Sequence, residues 1–256
     1  MTTSKEKLIE LYSNKSKHSN YQILPTKLKE ILVQDDIQTT TRSEPERLKY
    51  ILNKIDFNNK SVIDIGANTG YFSLELLDAG AKSMHYYEGN KEHVEFVRLA
   101  ADILGLGSKM QITNGYFKFD GSFESRYDIG LLFNVLHHVG DDYGDKSASM
   151  EEAKRLIIKQ LNNMSAVVGT LVYQMGFNWQ GDISKGLFPG GTKQEMIDFV
   201  RNGIDGYWQI ESIGIAERTN GQVTYEDLSN TNVERDNSMG EFLNRPIFIL
   251  KSITKQ

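Results

Sequence analysis

The chain has no cysteine, which excludes disulfides, thiolate metal centres and cysteine nucleophiles together. It also lacks any run near the ~18 apolar residues that crossing a bilayer requires. Its opening, "MTTSKEKLIELYSNKSKHSNYQ", mixes charge with apolar side chains where a signal peptide would need an apolar core. Cytoplasmic residence is the expectation that follows. An excess of positive charge is missing too: the net charge is -5, which argues against a general nucleic-acid binder. Residues 1–50 hold nine Lys or Arg against seven Asp or Glu, only a mildly basic start. What remains is a globular mixture, 39% hydrophobic and 25% charged over 256 residues, long enough to bury the core of one α/β domain.

The apolar spacing divides the chain in two. Up to residue 54 it reads as helical pieces, "KEKLIELYS" and "PTKLKEILVQ", with Leu and Ile three and four apart. A third piece, "SEPERLKYILNKI", has Ser43 as N-cap and Pro45 just inside. From Ser61 short apolar strands alternate with amphipathic helices: "SVIDIG", "SMHYYEG", "KMQITNG", "YDIGLLFNVL" and "SAVVGTLVYQM", then "YWQIESIGIAE" and "RPIFILKS". The helix "DKSASMEEAKRLIIKQLNN" is expected to be capped near Asp145 or Ser147. Such alternation predicts a mostly parallel sheet covered on both faces. The polar stretch 218–244 reads as an excursion from the fold, and Pro246 suits only the start or edge of its strand.

In "SVIDIGANTG" an apolar strand ends on Asp64 and breaks into Gly66, Asn68 and Gly70. Ligands of open α/β sheets bind outside the carboxyl ends of the strands, and glycines let the backbone approach a ligand closely. The spacing G-A-N-T-G is not the G-x-G-x-x-G of dinucleotide binders, and no G-K-[S/T] follows for a nucleotide phosphate. A ligand with an amino-acid end and a ribose fits better, with Asp64 anchoring an ammonium. Glu88 closes the second strand in "HYYEGN", where a carboxylate can accept both hydroxyls of one ribose. Either feature alone is as often plain architecture; together they favour a ligand.

"VIDIGANTGYFSLELLDAGA", "YYEGN" and "YDIGLLFNVLHHVGDD" resemble the class I S-adenosylmethionine-dependent methyltransferases over roughly residues 55–175. The resemblance implies an α/β, Rossmann-like, seven-stranded, mostly parallel sheet, with 1–54 as a helical lid or substrate segment and 55–256 as the methyltransferase domain. It further implies S-adenosyl-L-methionine as cofactor. The methionine part falls to Asp64, Gly66 and Gly70, the ribose to Glu88, and Gly89 and Asn134 join the same site. The chain departs from the family pattern twice. Asn68 stands where glycine is usual, a place an αL-tolerant Asn can fill. The third strand ends without an aspartate, leaving adenine to Asn114, Gly115, Tyr116 or Phe117.

Methyl transfer to a hydroxyl needs alignment and a base. His137 and His138 follow the fourth strand and titrate near neutrality when unperturbed; one is expected as base or positioner. "HHVGDD" also contains metal-ligand types, but adjacent side chains diverge and Asp141–Asp142 reads as a loop, so no metal is expected. Tyr12, His18, Tyr21 and Arg42 before the first strand, and Trp179 after the fifth, are candidate acceptor contacts, and Arg42 with Arg47 could clamp an anion. The bland reading of this segment is a solvated amphipathic face.

Further likeness, through "SKHSNYQ", "RSEPERLKYI" and "NVLHH", is to methyltransferases of bacterial surface-polysaccharide pathways. It implies O-methylation of a sugar, a sugar phosphate or a phosphoramidate-type capsule precursor. The expected partner is a small molecule, with no nucleic acid and no membrane. Two rival readings are a nicotinamide oxidoreductase and a non-catalytic, cofactor-binding subunit.

Overall fold

The computed structural model describes residues 4–13, 22–32, 41–123 and 125–254. The chain forms two compact units, Met1–Phe117 and Lys118–Gln256. Among the described residues no helix is long and apolar enough to cross a membrane.

In the first unit, helices α1 (Ser4–Ser13), α2 (Thr26–Ile31) and α3 (Glu44–Lys54) precede β1 (Ser61–Ile65), α4 (Tyr71–Asp78), β2 (Ser83–Glu88), α5 (Lys91–Ile103) and β3 (Met110–Asn114). The strands run parallel in the order β3-β2-β1, with Asp64 opposite Tyr86 and Glu88 opposite Asn114. That register brings the carboxyl ends of β1 and β2 to the same edge. Leu8, Leu11 and Tyr12 of α1, with Leu24, Leu28 and Leu32 around α2, share a core with Phe96 and Val97 of α5 and with Ala67 and Leu74. The N-terminal helices are thus fixed by apolar burial to the elements that flank the β1 turn. Ser43 sits at the N-cap of α3, as its spacing predicts, but with φ 58° and no capping bond from its side chain. The buried Glu44 carboxylate instead ties down the residues before the helix, accepting from Arg42 N at 2.8 Å and Thr41 Oγ1 at 3.0 Å.

The second unit contains β4 (Tyr127–Phe133), α6 (Met150–Asn163), β5 (Val168–Gln174), α7 (Lys193–Gly203), β6 (Trp208–Thr219), β7 (Gln222–Asp227), α8 (Gly240–Leu243) and β8 (Ile247–Ser252). β4 pairs with β5 in parallel; β8, β6 and β7 then add on in antiparallel fashion. Pro246 stands just before β8, where its missing N–H costs nothing. The cap of α6 is Ser149, which accepts from Glu152 N, rather than Asp145 or Ser147. Those two bond to each other instead, Ser147 Oγ donating to Asp145 Oδ1 at 2.7 Å.

The α/β class and mostly parallel layout agree with the sequence reading, but the described residues form eight strands, not seven. The additional strand, β7, lies inside the stretch read as a polar excursion. It returns from β6 through Asn220 and Gly221, with φ of 52° and 81°, and Thr219 pairs with Gln222. Asn-Gly between two strands is the strongest short-range hairpin signal in a sequence; the polarity of the stretch masked it. A Cβ at Gly221 would meet nothing within 4 Å, so its cost is purely conformational. Gly221→Ala is therefore expected to lower the urea midpoint at unchanged m-value, by the ~1–2 kcal/mol of a left-handed residue bearing a side chain; an unmoved midpoint would contradict the tight turn.

Candidate cofactor and active site

In the first unit the β1 turn is built from alternating left-handed residues: Gly66 (φ 69°), Asn68 (φ 53°) and Gly70 (φ 73°). A Cβ on Gly70 would lie 2.8 Å from Val97 Cγ2, so both conformation and space demand glycine there. The turn is tied on several sides. Gly66 N and Ala67 N donate to Tyr87 O at 2.9 and 3.2 Å, and Tyr86 Oη donates to Asn68 O. The Glu88 carboxylate bridges the two turns: Oε2 accepts from Asn68 N and Oε1 from Asn90 N, each at 2.8 Å. A carboxylate has about four acceptor positions, and these backbone bonds take one on each oxygen; His93 Nδ1 lies 4.0 Å from Oε1. Gly89 lacks a Cβ where one would stand 2.9 Å from the Tyr116 ring. Tyr116 remains 63% exposed, whereas Phe117 is buried edge-on against Tyr87. Of these two adenine candidates, Tyr116 is the one with an open face.

Asp64 is buried at the tip of β1 and accepts from Ser73 Oγ at 2.7 Å. Burial pushes its carboxyl up to about 7; the Ser73 bond works the other way, and the nearby Glu88 charge adds to the rise. A carboxylate so placed gains most from a cation brought beside it.

The N-terminal candidates fare differently from one another. Tyr12 is buried against Phe96 and its hydroxyl donates to Gln22 O at 2.7 Å. Arg42 is half-buried next to the Glu44 carboxylate. Arg47 is buried, 3.5 Å from Glu44 Oε1 and stacked over Phe72, so it has a protein anion of its own. His18 and Tyr21 lie outside the described residues.

In the second unit, β4 ends at Phe133 and Asn134 takes a left-handed φ of 59°. Its side chain is held from both sides: Nδ2 donates to Gln174 Oε1 at 3.1 Å and Oδ1 accepts from Arg245 Nη1 at 2.8 Å. Arg245 also donates from Nη2 to Glu241 Oε1 at 2.7 Å. Burial works to raise the Glu241 pKa, but the Arg245 charge and its hydrogen bonds outweigh this and hold it below the usual carboxylate range. Gln174, Glu241 and Arg245 had no signature in the sequence, because they meet only through the β5–β8 pairing.

The two histidines, indistinguishable in sequence, separate here. His137 is buried, and its Nδ1 accepts from Gly176 N at 3.2 Å. Burial, then the His138 and Arg245 charges, hold it well below the ordinary imidazole value, so it stays neutral with its proton on Nε2. His138 is half-buried, with Nδ1 3.5 Å from Asp142 Oδ2. Asp141 N and Asp142 N both donate to His138 O, which draws the two aspartates back toward the ring. One ligand atom from each of His138, Asp141 and Asp142 lies within 4.8 Å of the others, so the side chains converge where sequence adjacency suggested divergence. Exposed acids commonly gather without an ion, and this trio serves equally to orient the imidazole. Trp179 is buried and fixes the loop, donating from Nε1 to Val139 O at 2.6 Å, while Gln180 Nε2 donates to Gly140 O at 3.0 Å.

No protein-family model matches the sequence, and no curated protein does. Solved structures do. The chain is similar to WbdD in a high-resolution (2.2 Å) crystal structure, with a TM-score of 0.62 at 16% identity over 95% of this chain and 46% of that one. It is likewise similar to a medium-resolution structure of the bifunctional kinase-methyltransferase WbdD, with a TM-score of 0.58 at 17% identity over 95% and 46%. The chain thus spans just under half the length of these relatives. At such identity the likeness is one of fold alone.

The raised carboxyl of Asp64 has a measurable consequence. A group that binds its proton more tightly when folded makes stability fall as pH climbs from its unfolded value, 3.8, to its folded value of about 7. Asp64→Asn keeps an acceptor for Ser73 and removes the titration. In the ligand-free protein it is expected to melt above wild type at pH 8, with the gap closing toward pH 4; a gap independent of pH would contradict the buried, proton-seeking carboxyl.

Proposed function

We propose that this chain is an S-adenosylmethionine-dependent methyltransferase acting on the oxygen of a small polar or anionic acceptor. A sugar, a sugar phosphate or a phosphoramidate-type precursor of a bacterial surface polysaccharide is the class we favour, with the reaction in the cytoplasm. The observation that carries the reading is the pair of carboxylates at neighbouring strand tips: Asp64, buried and seeking a cation, and Glu88, able to accept two hydroxyls. The residues fit the cofactor's chemistry. Asp64 suits the ammonium of its amino-acid end, Glu88 its ribose, and the open face of Tyr116 above Gly89 its adenine. The class I fold and the methyltransferase activity in the name of one structural relative support the same reading.

When bound, the sulfonium cofactor supplies an electrophilic methyl carbon. The protein must then align the acceptor and remove one proton. We assign that proton to His138 Nε2, with the Asp142 carboxylate beside Nδ1 steadying the imidazolium that forms. His137, neutral and bonded to Gly176, supports the backbone around it. Residues 1–54 are assigned to a lid over the cofactor, and Arg42 remains its candidate for an anionic acceptor. The net charge of -5 and the absence of a basic stripe in the sequence support a small-molecule partner over a nucleic acid.

Calorimetry with S-adenosylhomocysteine and turnover with labelled methyl donor over fractionated surface-sugar intermediates test the proposal together. Asp64→Ala and Glu88→Ala are each expected to weaken cofactor binding by about 1–3 kcal/mol, the scale of a lost buried partner. His138→Gln is expected to cut turnover about 10²–10⁴-fold, the usual worth of a general base, with cofactor affinity intact. Affinity that collapses with His138 yet survives loss of both acids would overturn the assignment.

A further inference from the structure

We infer, resting on the cofactor reading above, that Gln22 binds the carboxylate of the cofactor's amino-acid end and thereby makes the N-terminal segment part of the cofactor site. The N-cap of helix α4 is Gly70, which has no side chain to cap it. The acceptor its first turn needs comes from far away in sequence. Gln22 Oε1 takes the N–H of Tyr71 at 3.1 Å and the hydroxyl of Thr69 at 3.3 Å. Gln22 is itself held: its carbonyl accepts from Tyr12 Oη, and Leu24, two residues on, lies in the core that includes Ala67 and Leu74.

With Oε1 pinned by two donors, the planar carboxamide cannot turn without breaking both bonds. Its Nε2 group therefore stands at a fixed position beside the turn, and among the described residues it has no hydrogen-bond acceptor. Across the same helical turn, Ser73 anchors Asp64. The first turn of α4 is thus flanked by a carboxylate tied to residue 73 and an amide donor tied to residues 69 and 71. An α-amino acid carries the complementary pair, an ammonium and a carboxylate on one carbon. Asp64 and Gln22 match those two charges.

The test must separate a ligand contact from a helix cap. Gln22→Glu keeps an oxygen for Tyr71 N and Thr69 Oγ1 but replaces the amide donor with negative charge. S-adenosylhomocysteine carries the amino-acid end; 5′-methylthioadenosine has the same nucleoside without it. We expect Gln22→Glu to melt like wild type, to bind methylthioadenosine like wild type, and to lose about tenfold or more in affinity for S-adenosylhomocysteine, the scale of a hydrogen bond to a charged group. Gln22→Ala should show the same selective loss with a lower melting temperature. Undiminished binding of S-adenosylhomocysteine by Gln22→Glu, or parallel weakening of both ligands, would overturn the role of Gln22 while leaving the cofactor reading standing. Wild type that binds neither ligand would overturn that reading, and this role with it.

Discussion

The Glu88 carboxylate, accepting one backbone N–H from the β1 turn and one from the β2 turn, is the tie on which the candidate site depends. The Tyr87 carbonyl and the Tyr86 hydroxyl hold the same turn from the β2 side. With Glu88 in place, two adjacent strand tips are tied through a single carboxylate. In the proposed function, structural and ligand-binding roles would fall on the same two oxygens. An acid kept for architecture alone would satisfy the turn equally well, but it would not account for the buried carboxyl of Asp64 beside it.

Asp64 illustrates the tension between stability and function. Burying a carboxyl at a strand tip, near the Glu88 charge and against a serine hydroxyl, raises its pKa toward neutrality, a cost that a core designed for stability alone would avoid. Gln22 extends the same logic to the N-terminus. Helices α1 and α2 are anchored by ordinary apolar burial, and the residue between them reaches the turn where the amino-acid end would lie. In the second unit the burden is carried differently: Arg245, Glu241, Gln174 and Asn134 satisfy one another, and His138 is oriented by its own loop.

Much of this was legible in the sequence because it is local. Asp64 and Glu88 each close an apolar run, and the switch from helical to strand spacing at Ser61 follows directly from the pattern of Val, Ile and Tyr. Features made by contact between distant segments were not legible. Gln22 lies 47 and 49 residues before the groups it caps, and Arg245 lies 111 after Asn134. Neither partner leaves a spacing to read. His137 and His138 differ only in burial, which adjacent identical residues cannot reveal. The β7 hairpin differs again: its Asn220-Gly221 turn is written in the sequence, but the polar residues of the strand it opens hide that strand's alternation.

A crystal structure of the chain with S-adenosylhomocysteine measures the central claim most directly. The account predicts ribose hydroxyls on the Glu88 carboxylate, with its bonds to Asn68 and Asn90 preserved, and the amino-acid end of the ligand along residues 64–71. A nucleoside bound anywhere else, or a Glu88 that must abandon either backbone bond to reach it, would contradict the account.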